Sequence, residues 1–242
     1  MNYFAHGRRF TSDPFFLAGT AVPDWLGVVD RQVRVRSRHA DAWSACDDPC
    51  VAAVARGVRQ HLADDAWFHE TLAFAECSMA IGRMVRDVLP TDDGFRPHFL
   101  GHILVEILLD AELIAEDPAA LAAYYRAMNS LDAAAVESAV NRIAPRGTSN
   151  LATFIGLFSR ERFLYDYQDD GKLLFRLNQV MRRVRLPTLP PQMSEVFPEA
   201  RRLVSARGHE LLTAPAECDQ PEPKSEFIAA QTAFHPFTET QP

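Results

Sequence analysis

Polar residues recur at every fourth position of a segment that is otherwise apolar, residues 97–114 (PHFLGHILVEILLDAELI). A helix that is apolar on all sides is typical of a buried helix. Its polar residues share one face, because a step of four residues turns a helix only about 40° past a full turn. These residues are His98, His102, Glu106 and Asp110. Buried imidazoles and carboxylates are costly unless they are paired or bound to a metal, so the pattern predicts a polar partner for this face.

A second segment carries a matching face. In residues 57–74 (GVRQHLADDAWFHETLAF), His61, Asp65 and His69 also recur every fourth residue among apolar neighbours. Helical bundles build metal sites from side chains on facing helices. Imidazole and carboxylate together suit zinc, manganese or iron. The two segments therefore predict one or two divalent metal ions between two helices.

Helical periodicity extends along most of the chain, and the two-residue alternation of strands is nearly absent. Asp48 and Pro49 predict the start of a helix over about 49–64 that continues into, or bends at, the His61–His69 segment. Pro23 predicts that Asp24 lies at a helix end or turn. Other helices are expected at about 73–88, 96–115, 119–131, 133–144, 149–166, 169–184 and 192–212. The fold class is therefore all-α, with seven to nine helices.

Composition narrows the class of protein further. The net charge of −7 and the pI near 5.6 argue against nucleic-acid binding. The sequence shows neither a signal peptide nor an apolar run that could span a membrane, which favours the cytoplasm. The four cysteines have no zinc-binding spacing. Residues 1–212 are expected to form one helical domain, and the proline-rich residues 213–242 a disordered tail.

Several motifs in this order resemble those of the acyl carrier protein phosphodiesterase family. They are MNYFAH, FLAGTAVPDWLG, GVRQHLADDAWFHE, HFLGHILVEILLD and FLYDYQDDGKLLFRLNQVMRRVRLP. The resemblance implies an all-α bundle related to the HD-type metal-dependent phosphohydrolases. It also implies release of phosphopantetheine from holo acyl carrier protein by phosphodiester hydrolysis, with a divalent ion such as manganese. The positions that match the family's polar residues are His6, Asp24, His61, Asp65 and His102.

Some positions depart from that family's pattern. Leu62 replaces an arginine, Phe68-His69 replaces a Thr-Asp pair, and Gly101 replaces an aspartate. Glu106 and Asp110 replace the aromatic end of the last histidine motif. FLAGTAVPD is also similar to the opening of zinc-dependent phospholipase C-like proteins, which implies phospholipid esters as an alternative substrate. A non-enzymatic helical protein with buried polar networks is the third alternative.

The sequence therefore predicts a metal-dependent phosphodiester hydrolase that uses metal-bound hydroxide. Its expected partner is acyl carrier protein or another small phosphodiester, and its expected cofactor is one or two ions of manganese, iron or zinc. Three further residues are expected to take part in catalysis or to hold a second ion: His69, His98 and Glu106. His61, Asp65 and His102 are the expected core ligands, and His6 and Asp24 are expected to complete the site.

Overall fold

The computed structural model describes residues 1–89 and 94–214, and over these residues the chain forms helices and no strands. The α-helices are α1 (Tyr3–Gly7), α2 (Pro14–Val29), α3 (Ser37–Trp43), α4 (Pro49–Glu70), α5 (Leu72–Val88), α6 (Pro97–Glu116), α7 (Pro118–Asn129), α8 (Ala133–Ile143), α9 (Leu151–Glu161), α10 (Asp170–Arg183), α11 (Phe197–Ala206) and α12 (Gly208–Leu211). Two 3₁₀ helices span Phe163–Gln168 and Pro191–Val196. The all-α prediction is confirmed. The predicted tail lies outside the described residues from position 215 onward.

Two closely packed helix pairs form the frame of the bundle, α2 with α4 and α5 with α6. Both pairs meet at glycines. A Cβ atom on Gly19 of α2 would lie 2.3 Å from the Val54 carbonyl oxygen, and one on Gly57 of α4 would lie 2.1 Å from that of Phe16. A Cβ atom on Gly101 of α6 would lie 2.2 Å from the Ser78 carbonyl oxygen. The missing side chains therefore allow backbone-to-backbone contact at both crossings.

Helix α6 lies at the centre of the bundle, as its apolar composition predicts. It contacts α1, α5, α7, α11 and the first 3₁₀ helix. Leu104, Val105 and Leu109 are fully buried. Because neighbours surround α6 on several sides, its few polar side chains must find partners on those neighbours or at cavities.

Aspartates cap the N-termini of α4, α7 and α8, the first of them at Asp48 as the sequence predicts. Asp48 accepts hydrogen bonds from the backbone N–H groups of Cys50 and Val51 at the start of α4. Asp117 caps α7 and Asp132 caps α8 in the same way. These side chains satisfy N–H groups that have no partner within the helix. Helix α4 then continues without interruption through His61 to Glu70.

The predicted helices at the C-terminal end are shorter than expected, and the described residues contain more helices than seven to nine. Residues 149–166 form α9 and a separate 3₁₀ helix, because Arg162 adopts a left-handed conformation (φ 48°) that ends α9. Residues 192–212 divide into a 3₁₀ helix, α11 and α12. Amphipathic periodicity continues across these breaks, so the sequence pattern predicted one helix where the structure has two or three.

The prediction that Asp24 lies at a helix end or turn is wrong. Helix α2 runs through Pro23 to Val29, so Asp24 lies within the helix. Proline inside a helix removes one backbone hydrogen bond and costs about 3 kcal/mol. Trp25 and Leu26 are almost fully buried just beyond Pro23. Burial of these two side chains offsets a cost of this size, and the helix continues.

Candidate metal centre

Two groups of side chains that could hold a metal ion lie between α1, α4 and α6. Group 1 consists of His6 from α1 and of His61 and Asp65 from α4. The Nε2 atom of His6 lies 3.2 Å from Asp65 Oδ1, and that of His61 lies 3.3 Å from Asp65 Oδ2. Both imidazole rings are almost completely buried and stack with their centroids 4.1 Å apart. One carboxylate and two imidazoles therefore converge from two helices.

The other ring nitrogen of each group 1 histidine already has an acceptor. His61 donates its Nδ1–H to the carbonyl oxygen of Thr20, at 2.8 Å. The Nδ1 atom of His6 lies 3.3 Å from Asp64 Oδ2. An acceptor at Nδ1 places the proton there and leaves the Nε2 lone pair available, which is the usual arrangement of metal-binding histidines. Both Nε2 atoms then face the carboxylate of Asp65.

The Nε2 atom of His6 is buried and has no hydrogen-bond partner of acceptable geometry among the described residues. Its distance to Asp65 Oδ1 is short, but the direction of approach does not suit a hydrogen bond. Buried polar atoms without a partner are uncommon and costly. A divalent cation would satisfy this lone pair, so the residues of group 1 fit a metal ion.

Group 2 consists of His69 from the end of α4 and of His102 and Glu106 from α6. The Nε2 atoms of both histidines face the same oxygen, Glu106 Oε1, at 2.8 Å from His69 and 3.3 Å from His102. The three side chains are 19–30% exposed. Group 2 is therefore more accessible to solvent than the imidazoles of group 1.

The two groups are neighbours, because the amino group of Met1 contacts both. It lies 2.7 Å from Asp65 Oδ1 and 3.6 Å from Glu106 Oε1. Burial alone would raise the pKa of Asp65, but the nearby imidazoles of His6 and His61 and the Met1 amino group outweigh it and lower the pKa well below the usual value. Burial also opposes ionisation of Glu106, but the Met1 amino group and the nearby imidazoles of His102 and His69 lower its pKa. Both carboxylates are therefore charged at neutral pH and attract cations.

The same negative charges act on His6. Burial disfavours the charged imidazole, but the nearby carboxylates of Asp64 and Asp65 raise the pKa of His6 to about 9. With this pKa the ring carries a proton on both nitrogens at neutral pH, unless a cation takes the place of the proton on Nε2. A metal ion and this proton compete for the same atom, so binding of an ion at group 1 releases the proton.

A cavity of about 700 Å³ adjoins group 2 through Glu106, and Asp24 also lines it. Its walls come mainly from α2, α6, α9, α10 and the first 3₁₀ helix, and the aromatic side chains Phe154, Phe158 and Phe163 line them. The exposed residues Arg31 and Arg183 also line it. Burial raises the pKa of Asp24, while His61 and His6 oppose the rise. The cavity thus joins candidate metal ligands, an apolar wall and cationic side chains.

Asp110 holds α1, the short helix that carries His6, in place. Its buried carboxylate accepts hydrogen bonds from the backbone N–H groups of Phe4, at 2.9 Å, and Ala5, at 2.7 Å. Five residues are too few for an isolated stable helix. The position of α1, and with it that of His6, therefore depends on a side chain from α6.

Substitution of Asp110 by alanine is expected to leave these two buried N–H groups without an acceptor and to destabilise the protein by about 1–3 kcal/mol. For a chain of this size each kcal/mol lowers the melting temperature by roughly 2–4 °C, which thermal unfolding measures. Glu116→Ala is the matched control, because Glu116 is an exposed acid at the end of the same helix. Equal melting temperatures of the two variants would contradict this role of Asp110.

The structure separates the five predicted metal ligands. His6, His61 and Asp65 come together in group 1, whereas His102 lies in group 2 with His69 and Glu106. Asp24 lines the cavity and belongs to neither group. His98 is exposed in the first turn of α6 and is part of neither group. The described geometry therefore brings together seven of the eight predicted residues around one region and leaves His98 outside.

Two residues that contribute to the site were not predicted from the sequence. Asp64 lies outside the four-residue spacing of His61, Asp65 and His69, but its carboxylate contacts Nδ1 of His6. Thr20 contributes through its backbone carbonyl, for which the side-chain pattern carries no signal. The sequence signal for Asp64 is its position directly before Asp65.

The fold and the two groups define an all-α protein with two adjacent candidate metal centres. Comparisons with protein-family models, curated proteins and solved structures gave no match. Within residues 1–89 and 94–214, none of the helices has both the length and the apolar composition that a membrane crossing requires.

Proposed function

We propose that this protein is a metal-dependent hydrolase of phosphodiesters, in which His6, His61 and Asp65 hold a divalent ion. The observation that carries the proposal is the convergence of two Nε2 atoms on the Asp65 carboxylate, with each Nδ1 atom held by its own acceptor. Hydrogen bonding at Nδ1 is the arrangement that orients histidines as metal ligands. Manganese, iron and zinc all suit this ligand set.

The residues around group 1 suit an anionic substrate. A divalent ion bound there would stabilise negative charge on phosphoryl oxygens and lower the pKa of a water molecule. Arg183 has no hydrogen-bond or ion-pair partner for its guanidinium among the described residues, and it lines the cavity together with Arg31. These cations attract a phosphate group and bind it through charge-assisted hydrogen bonds.

The cavity has the size of a small-molecule site, for which about 300–1,000 Å³ is usual. Its aromatic wall excludes water from one side of a bound ester, while Glu106 of group 2 and Asp24 line the cavity as well. An elongated phosphodiester with a neutral arm fits these features. Holo acyl carrier protein carries such an arm, phosphopantetheine, and is the substrate that the sequence resemblance implies. A cytoplasmic location and an acyl carrier protein partner stay predictions from the sequence.

The test is hydrolysis of two substrates by the full chain with manganese, iron or zinc. Bis(p-nitrophenyl) phosphate reports phosphodiester hydrolysis by absorbance, and mass spectrometry of holo acyl carrier protein reports loss of phosphopantetheine. We expect activity that chelators remove, and a loss of about 10³-fold or more in His61→Ala, as is usual when an essential group is removed. The control is His98→Ala, which removes an exposed histidine outside both groups and is expected to keep full activity.

The two substrates separate reaction type from substrate identity. Hydrolysis of the chromogenic diester without release of phosphopantetheine would support phosphodiester hydrolysis but exclude acyl carrier protein as the substrate. No metal-dependent hydrolysis of either, or equal rates in His61→Ala and wild type, would reject the hydrolase and favour a non-enzymatic protein.

A further inference from the structure

Group 2 has the composition of a metal site in its own right. Its three ligand atoms, from His69, His102 and Glu106, all lie within 4.8 Å of one another. Only the contact from His69 to Glu106 is a hydrogen bond of accepted geometry, whereas His102 Nε2 lies 3.3 Å from the same oxygen. Two imidazoles and one carboxylate with converging donor atoms match the usual ligands of a catalytic divalent ion.

A buried aromatic ring holds the two imidazoles of group 2 in place. Phe74 is 5% exposed, and its ring centroid lies 4.8 Å from those of both His69 and His102 in edge-on contacts. The two imidazole centroids are 4.9 Å apart. Side chains whose positions are fixed by packing lose little freedom when they bind a ligand, which favours tight binding.

We infer that His69, His102 and Glu106 bind a second divalent cation, separate from the ion of group 1. The inference rests on the proposed function in that the second ion would give the same hydrolase a two-ion centre. Glu106 lines the cavity, so this ion would face the substrate directly. Pairs of ions in phosphodiester hydrolases stabilise both the attacking and the leaving oxygen.

The two sites are expected to exchange their ions at different rates. In group 1 only Asp65 is accessible, at 30% exposed, and the two imidazoles are at most 3% exposed, whereas all three side chains of group 2 are 19–30% exposed. A chelator reaches a ligand atom only where solvent does. Release of zinc to a chromophoric chelator should therefore occur in two phases, with the faster phase from group 2.

The experiment loads the full chain with zinc, removes excess metal by gel filtration and measures zinc by elemental mass spectrometry. We expect about two equivalents in wild type, as in two-ion hydrolases, and a loss of about one equivalent in His69→Ala and in His102→Ala. These two variants should also lose the fast phase of release. The matched control is His98→Ala, which removes an exposed histidine one turn before His102 on the same helix and should keep both equivalents.

His61→Ala separates failure of this inference from failure of the proposed function. If it loses one equivalent while His69→Ala and His102→Ala lose none, group 1 binds metal and the second site is rejected. If His69→Ala and His102→Ala each lose one equivalent while His61→Ala loses none, the second site stands and the assignment of group 1 fails. Should a variant fail to fold, titration of wild type with cobalt decides: two successive changes in visible absorption support the second site, and a single change at one equivalent overturns it.

Discussion

Substitution of Gly19 by alanine is expected to destabilise the protein by about 3 kcal/mol or more, the upper range for overpacking. The added methyl group would lie 2.3 Å from the Val54 carbonyl oxygen and 2.9 Å from Gly57 Cα. Both are backbone atoms of α4, so no side chain can rotate away and the two helices must separate. Thermal unfolding should show a melting temperature lower by roughly 6–12 °C for a chain of this length.

The control for Gly19→Ala is Gly27→Ala in the same helix, because a Cβ atom at Gly27 would meet no heavy atom within 4 Å. Alanine there should stabilise the helix by up to about 1 kcal/mol, since glycine lowers helix stability. The contrast also affects the site, since the α2–α4 crossing holds the Thr20 carbonyl against His61. Similar melting temperatures of the two variants would show that the close crossing does not limit stability.

The sequence predicted the fold class and the position of α4 and α6 because their signals are local. Apolar composition identified α6 as a central helix, and Asp48 with Pro49 marked the start of α4. Each rests on residues within one or two helical turns. The break expected at Pro23 failed, because it was overruled by the burial of Trp25 and Leu26 against other parts of the chain.

The four-residue spacing identified the pairs that contact each other along one helix, but not the residues that contact them from other helices. His61 with Asp65 and His102 with Glu106 are both i,i+4 pairs at 3.3 Å in the structure. His69 is two such steps from His61, about 12 Å along the helix, and so reaches group 2. Along α6, His98 faces solvent, while Asp110 meets the backbone of α1. Tertiary packing decides which element lies opposite each turn of a helix. The polar face of one helix therefore does not indicate its partner.

His6 could not be identified from hydrophobic periodicity. It lies in a five-residue helix with no periodicity to analyse, and the family resemblance alone indicated it. Its position follows from two long-range contacts, the anchoring of α1 by Asp110 and the contact of the ring with Asp64. More than fifty residues separate each pair in the sequence, so only the folded chain brings them together.

Binding of a divalent ion at group 1 is expected to stabilise the wild-type protein by about 2.7 kcal/mol when the free ion is at one hundred times the dissociation constant of that site. This value corresponds to a rise in melting temperature of roughly 5–10 °C for a chain of this size. In Asp65→Asn the carboxylate on which both Nε2 atoms of group 1 converge is replaced by a neutral amide. The part of the stabilisation that comes from group 1 should then disappear. Each shift is measured within one variant, with and without the ion, so that a change in metal-free stability does not enter the comparison.

Asp64→Asn is expected to weaken metal binding without abolishing it, because Asp64 contacts the ring of His6 but lies outside the ligand set of group 1. Loss of a carboxylate that orients a ligating histidine lowers metal affinity by about 10–100-fold. This variant should therefore regain the wild-type shift at an ion concentration higher by the same factor, whereas Asp65→Asn should not regain it at any concentration tested. If both variants keep the full shift at low ion concentration, Asp65 is not a ligand, and the contacts around it are an ordinary buried network of imidazoles and carboxylates.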